Sequence, residues 1–278
     1  MPLRIVQSKQ NSRLKELRRA VASPSRDGHE LVGIEGPHLL SEALRAGLKI
    51  HCVFAAQGAE ASLDRFHISP ETEVLLLPAE ILAGALATET PQPIAALVEP
   101  PAWTWSHLLD PNRKTAPLIL VLAELQDPGN LGTIIRSAEA FGANGIVCLP
   151  RTVSPWNPKA MRASAGSVFR VPIVTGAAHD SLACLHKAGL KTYAATAHAA
   201  SLVHRVNLAE PVALLIGNEG NGVPQELVAE VDGAIAIPCP GPVESLNAAV
   251  AASVLLYEAS RQRALPGGVA QSQRGGAR

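Results

Sequence analysis

Three stretches in the C-terminal half of the chain obey one local grammar: an apolar, strand-like run, a turn of Gly, Pro and Asn, then a helix start. They read LAELQDPGNLGTIIRSAEAFG (residues 122–142), LLIGNEGNGVP (214–224) and IPCPGPVESLNAAVAASVLLYE (237–258). The runs LILVLA, GIVCLP, KTYAAT, VALLIG and GAIAIP are nearly all apolar, the pattern of a parallel sheet covered on both faces. Helices are expected after Asn130, Asn157, Asp180, Pro224 and Ser245, which makes the region an α/β unit. The turns carry the polar groups: Asn130 and Arg136, then Asn218 and Glu219, then Glu244, Ser245 and Asn247. Turns that follow the strands of a parallel sheet gather at one rim, where α/β folds bind ligands.

The first hundred residues alternate as well. LVGIEG, KIHCVFAA, EVLLLP and IAALVEP read as strands. Helices are expected from Ser12, a candidate N-cap, over PHLLSEALRAG, where Pro37 marks the start and Gly47 the stop, and over PAEILAGALA. The expected organisation is a small α/β domain over residues 1–100, a Pro-rich linker over 101–116 and a larger α/β domain over 117–263. A Gly-rich polar tail over 264–278 has the composition of disorder.

Composition narrows the function. Hydrophobic residues make up 47% of the 278 and aromatics only 3%, so Leu, Val, Ile and Ala must fill the core. No apolar run reaches transmembrane length and the N-terminus lacks the apolar segment of a secretory signal, which points to the cytoplasm. Cys52, Cys148, Cys184 and Cys239 form no C-x-x-C pair, and the histidines show no H-E-x-x-H spacing, so no metal site is indicated. The Gly217–Gly222 turn lacks the Lys and Ser/Thr of a P-loop. Net charge is zero, yet residues 1–26 carry Arg4, Lys9, Arg13, Lys15, Arg18, Arg19 and Arg26 against the single acid Glu16. Such a run is either a solvated helix face or a set of phosphate contacts.

The three motifs, in this order and spacing, resemble those of the SpoU (TrmH-type) RNA 2′-O-ribose methyltransferases of the SPOUT superfamily. IVQSKQNSRLKELRRA, GIEGPHLLSEALRAGLKI and LATETPQPIAAL resemble the substrate-binding domain that a subset of those enzymes carries, itself similar to kink-turn-binding ribosomal proteins. The resemblance spans about residues 3–262. It implies a C-terminal parallel-sheet SPOUT domain with a trefoil knot, preceded by a smaller α/β RNA-binding domain. It implies S-adenosyl-L-methionine as cofactor, no metal and no membrane. It also implies a homodimer, held in part by the helix LNAAVAASVLLYEAS, which is apolar nearly all round and must be buried on most sides. The substrate it implies is structured RNA, with ribosomal RNA favoured over tRNA by the extra domain.

The resemblance also assigns residues. Asn130, Arg136, Glu219, Ser245 and Asn247 fall at the catalytic positions, and Thr196, Gly217, Ile237 and Leu246 at the cofactor pocket. Arg13, Arg18, Arg19, Lys159 and Arg162 are candidate RNA contacts. The family's usual Gly, Met and Val-Ser are replaced by Pro93, Cys239 and Ala248-Ala249, changes of packing more than of chemistry. Read from the residues alone, Asn130 also fits as cap of a helix over 131–141, Ser245 as an N-cap, and Arg136 as a surface arginine. A guanidinium stays protonated, so binding a phosphate and stabilising a developing 2′-alkoxide is an easier task for Arg136 than general base. The intact polar set weighs against the alternative from another class, a non-catalytic RNA-binding or ribosome-assembly protein that keeps the fold.

Overall fold

A computed structural model describes residues 3–22, 30–86, 88–243 and 245–264. Arg26, Glu244 and the tail after Ala264 lie outside the described residues, and with them the expectation of a disordered tail.

The N-terminal region runs β1 (Leu3–Ile5), α1 (Ser12–Ala22), β2 (Val32–Glu35), α2 (Pro37–Arg45), β3 (Ile50–Ala56), β4 (Glu73–Leu77), α3 (Ala79–Ala83) and β5 (Ile94–Val98). Its sheet has the order β1-β4-β3-β5-β2 and is mixed: β5 runs antiparallel to both of its neighbours, while β1, β4 and β3 are parallel. Helix α2 starts on Pro37 and stops at Gly47, whose φ of 72° is the left-handed turn that glycine adopts without cost. The cap of α1 is Asn11 rather than Ser12: the Asn11 Oδ1 accepts from the amides of Arg13 at 2.9 Å and Leu14 at 3.2 Å.

A short helix, α4 (Trp105–Leu108), interrupts the Pro-rich segment, and its buried Leu108 packs with Ile119 and Val121 of the next sheet. The C-terminal region then runs β6 (Leu118–Leu122), α5 (Pro128–Ala140), β7 (Gly145–Cys148), α6 (Pro158–Ser164), β8 (Ile173–Thr175), α7 (Ala178–Lys187), β9 (Lys191–Ala195), β10 (Ser201–Leu202), β11 (Val212–Ile216), α8 (Gln225–Glu230), β12 (Gly233–Ala236) and α9 (Ala248–Arg263). The seven strands are all parallel, in the order β10-β12-β9-β11-β6-β7-β8. From β6 the chain moves one way to β7 and β8; from β11 it moves the other way, to β12. The crevice between β6 and β11 is therefore a switch point, the place where open α/β sheets hold ligands.

The two sheets share one apolar core. Val32, Ile34, Leu39 and Leu40 belong to the same buried cluster as Leu118, Leu131, Ile134 and Met161. Charged groups pin this junction. Arg170 donates from Nη1 to Glu42 of α2 at 2.7 Å and from Nη2 to Glu139 of α5 at 3.0 Å, and Arg162 of α6 lies 3.8 Å from the buried carboxylate of Glu35. Gly166 has a φ of 87°, and a side chain there would meet Glu42 at 2.5 Å, so only glycine lets the two halves close.

The Arg170 hydrogen bond holds Glu139 below its ordinary value. In Glu42 burial pushes upward but is outweighed by Arg170. A depressed carboxylate stabilises the fold above its unfolded value, about 4.3, and that contribution disappears as pH falls through the lower folded value. Arg170→Met is expected to cost about 1–2 kcal/mol near neutral pH, below the figure for a fully buried pair because part of the arginine is in water. It should also flatten the loss of melting temperature below about pH 4 that is expected of the native protein. Calorimetric melting from pH 3 to 7 on both proteins checks this.

Candidate active site

The three motifs meet where the switch point lies. The loop after β6 enters α5 with Asp127 as N-cap, its Oδ1 accepting from the Asn130 amide at 2.8 Å. Asn130 is thus not the cap. It sits inside the first turn with its side chain free to bridge the other motifs. Its Nδ2 donates to the Glu219 carboxylate at 2.9 Å, and its Oδ1 accepts from Asn247 Nδ2 at 3.1 Å. One asparagine therefore joins residues some ninety and some hundred and twenty positions away.

Glu219 follows β11. Besides Asn130, its carboxylate faces the amides of Asp127 at 3.3 Å and Gln126 at 3.5 Å. Burial pushes its proton affinity up, but these hydrogen bonds outweigh it and the group sits below the usual carboxylate range. Glu219 is therefore an anion at neutral pH, and its carboxylate holds the Asn130 amide in place. Asp127 is held low chiefly by the Asn130 amide, and Lys159 of α6 pairs with it at 3.2 Å.

The second loop is tight because Gly217 has no side chain. A Cβ there would lie 1.9 Å from the carbonyl carbon of Gly222 and 2.1 Å from the Val223 nitrogen. Asn218 and Gly222 close the loop with two backbone hydrogen bonds, at 3.0 and 2.9 Å. In the third motif the helix cap is Asn247, whose Oδ1 accepts from the Ala249 and Val250 amides; Ser245 lies before it, exposed and outside the helix. Asn247 thus has two tasks: its oxygen caps α9 and its amide holds Asn130.

Thr196, Gly217 and Ile237 follow the C-terminal ends of β9, β11 and β12, which are neighbours in the sheet. Leu246, like Ile237 half-buried, lies in the loop that leads into α9. A ligand at this rim would lie against three adjacent strand ends and two half-buried apolar side chains, surroundings that an adenine ring and a methionine chain can occupy.

Arg136 points elsewhere. Ile134, Ile135 and Ala138 face the core, while Arg136 is exposed and, among the described residues, has no hydrogen-bond or ion-pair partner. It does not reach the Asn130–Glu219–Asn247 cluster within the chain. It shares the outer face of α5 with Thr133, which lies beside Val250, Val254 and Tyr257 of α9. Helix α9 is not buried all round, as its composition suggested. Ala248, Ala249, Ala252, Leu255, Leu256 and Ala259 face the core, but Val250 and Tyr257 are about half exposed, at 49% and 55%.

The candidate RNA contacts are mostly paired with acids. Arg13 binds Glu16 and Glu73, Arg19 lies 4.0 Å from Glu30, and Lys159 and Arg162 pair as described; Arg18 donates to the Lys9 carbonyl. The exposed pairs among these, such as Arg19–Glu30 and Lys159–Asp127, are weak and exchange readily for phosphate, whereas Arg162 faces a buried carboxylate. Burial pushes the Cys52 and Cys148 thiols up to about 12, so both are inert, whereas Cys239 is exposed beyond the end of β12. Among the described residues no His, Cys, Asp or Glu group forms a metal cluster, and no helix is long and apolar enough to cross a membrane.

Asp127 was not among the sequence candidates, although the D-P-G-N run carries two cap-competent residues and could have named it. Residues 117–257 match the SpoU rRNA Methylase family, and residues 11–96 match the MRM3-like substrate binding domain. The chain is 30% identical over 252 residues to the 23S rRNA (guanosine(2553)-2'-O)-methyltransferase RlmP of Bacillus subtilis (strain 168), across 91% of this chain and 97% of that one. Two solved structures are similar throughout. An AdoMet-bound rRNA methyltransferase from Sinorhizobium meliloti has a TM-score of 0.78 at 30% identity, covering 93% of this chain and 98% of its own. The SpoU methyltransferase AviRb from Streptomyces viridochromogenes, in complex with AdoMet, has a TM-score of 0.79 at 29% identity, covering 91% and 98%. The motifs, the parallel sheet and these likenesses agree: the chain belongs to the SpoU rRNA methylase family and is an S-adenosylmethionine-dependent RNA 2′-O-ribose methyltransferase.

Proposed function

We propose that the substrate is ribosomal RNA, which the N-terminal domain grasps while the rim between β6 and β11 performs the transfer. The observation that carries the site is the Asn247–Asn130–Glu219 chain, which ties the three motifs into one constellation. When bound, S-adenosylmethionine supplies a sulfonium methyl group. Thr196, Gly217, Ile237 and Leu246 would hold it, with the apolar pair against its adenine. Glu219 fixes the orientation of Asn130, and Ser245 and Asn247 offer polar groups at the mouth of the site. Arg136 would bind the RNA phosphate and stabilise the 2′-oxygen as its proton passes to solvent water. The N-terminal domain and the basic α1, with Arg13, Arg18 and Arg19, support RNA selection there; Lys159 and Arg162 extend the charge toward the site. The family likeness also supports a trefoil knot formed by the loop over residues 237–247, and ribosomal RNA as substrate supports a cytoplasmic location.

The reading includes a homodimer. The outer face of α9 carries Val250, Val254 and Tyr257 at helical spacing, with an apolar hollow between them and Thr133. An apolar stripe of this kind on a folded domain favours a second apolar surface. Arg136 flanks it, so a second copy seated there would bring each Arg136 toward the other subunit's site. Val254→Asp is expected to convert the dimer to monomer in sedimentation at micromolar concentration and to abolish transfer, with the melt still cooperative.

The function is tested by two measurements. S-adenosylmethionine should bind in calorimetry and raise the melting temperature. A 2′-O-methyl map of ribosomal RNA from cells with and without the gene should lose one mark. A lost mark on tRNA instead would reassign the substrate, and absence of cofactor binding at millimolar concentration would favour the non-catalytic RNA-binding protein.

A further inference from the structure

We infer that Glu124 and Arg151, which have no assigned role, are positioning residues that hold the Glu219 loop in its working arrangement; the inference rests on the active-site reading above. Both adopt left-handed backbone without being glycine, Glu124 at φ 58° and Arg151 at φ 66°. Residues with side chains take this conformation rarely, and it persists only where the surroundings over-determine it.

The surroundings here do so. Glu124 follows β6 and Arg151 follows the neighbouring β7, and their side chains form an ion pair across the rim. Two further bonds join the same loops. Thr152 Oγ1 donates to the Leu122 carbonyl at 3.0 Å, and the Val153 amide donates to the Leu125 carbonyl at 2.8 Å. The loop after β7 thus grips the loop after β6 on both sides of Glu124.

What the grip holds is the second motif. The Glu124 carbonyl accepts from Asn218 Nδ2 at 3.0 Å. Asn218 Oδ1 in turn accepts from the Gly220 amide at 2.8 Å and the Asn221 amide at 3.3 Å, which shapes the turn around Glu219. Two and three residues beyond Glu124, the Gln126 and Asp127 amides face the Glu219 carboxylate. Returning Glu124 to an ordinary backbone region would rotate its carbonyl away from Asn218 and disturb the amides that follow. The left-handed bend is therefore a condition for the Asn130–Glu219 contact, and the ion pair pins it.

Arg151 is 70% exposed at the side chain, so a direct contact with RNA phosphate is the competing role. A double-mutant cycle separates the two, because glycine occupies the left-handed region freely. The variants are Arg151→Ala, Glu124→Gly, Glu124→Val and the Arg151→Ala/Glu124→Gly pair. The measurements are S-adenosylmethionine affinity by calorimetry, and kcat and KM for methyl transfer to a 23S ribosomal RNA transcript, with melting temperature to confirm folding. Arg151→Ala alone should weaken cofactor binding about fivefold and lower kcat about tenfold with KM for RNA unchanged, a coupling of the size neighbouring residues show. Glu124→Val should do worse. Glu124→Gly should recover most of what Glu124→Val loses, and adding Arg151→Ala to it should cost nothing more. If Arg151→Ala raises KM for RNA equally in both backgrounds, or leaves cofactor affinity and kcat untouched, the inference is overturned. Failure of the native protein to methylate the transcript would count against the proposed substrate, while the cofactor-affinity cycle would still decide this point.

Discussion

Replacing Arg136 by alanine or by lysine is expected to cut single-turnover methyl transfer by about a hundredfold or more while leaving cofactor affinity near native. The loss would be large because a permanently charged, planar fork can hold a phosphate and the 2′-oxygen together, which a lysine ammonium does less well. Cofactor binding should survive because the proposed pocket is built at the β9, β11 and β12 ends, while Arg136 lies exposed on α5 with no hydrogen-bond or ion-pair partner among the described residues. The same exposure predicts little change in melting temperature, since an exposed side chain with no partner among the described residues contributes little to the fold. Near-native transfer by Arg136→Ala would return the residue to an ordinary surface arginine. Labelled-methyl transfer on pre-bound RNA, with calorimetric cofactor affinity for each variant, makes the distinction.

Gly217→Ala should show the opposite signature, with cofactor binding lost first. The added methyl would stand 1.9 Å from the Gly222 carbonyl carbon. That neighbour is backbone, so no side-chain rotation relieves the clash and the loop must open. Opening moves Asn218 and Glu219 together and undoes the seat of Asn130. Overpacking of this kind costs about 1–3 kcal/mol, or about 2–10 °C of melting temperature in a chain of this size. Cofactor affinity should fall at least about tenfold, since the same loop forms a wall of the proposed pocket. Gly220→Ala is the control: a methyl there would meet only Asn218 Oδ1, at 3.4 Å. If the two substitutions weakened cofactor binding equally, the tight loop would not be part of the pocket wall.

Much of this arrangement could be read in the sequence because its determinants are local. The apolar runs at 118–123 and 212–217 had no other use than buried parallel strands, and Pro37 with Gly47 bracketed a helix correctly. The errors share a physical origin. Asn130, Ser12 and Ser245 each fit a cap by residue type, and in each case a cap-competent neighbour, Asp127, Asn11 or Asn247, has the geometry instead. Clusters of small polar residues supply several acceptors, and the choice among them is made by where the incoming chain is held, which is tertiary information. The strands β1, β8 and β10 are not legible in the sequence because two or three residues establish no period. Partners of the basic residues were equally hidden: Arg13 finds Glu73 sixty positions away, and Arg170 finds Glu42 at more than twice that distance. The left-handed bend at Glu124 leaves no mark in the sequence, since glycine is absent where the backbone would have favoured it.

The junction at Glu42, Gly166 and Arg170 bears on how such enzymes can be redesigned. Recognition domains are often treated as exchangeable cassettes, to be transplanted from one catalyst to another. Here a transplanted N-terminal domain would arrive at a guanidinium that needs an acid opposite it, and at a glycine whose bare backbone accommodates the stem of that acid. A chimera made by joining at the linker alone would leave Arg170 with one carboxylate instead of two and an ill-fitting seam between β2 and α6. Retargeting this scaffold to a new RNA therefore calls for joint choice of both faces of the seam, with position 42 matched to position 170 before any RNA-facing residue is changed.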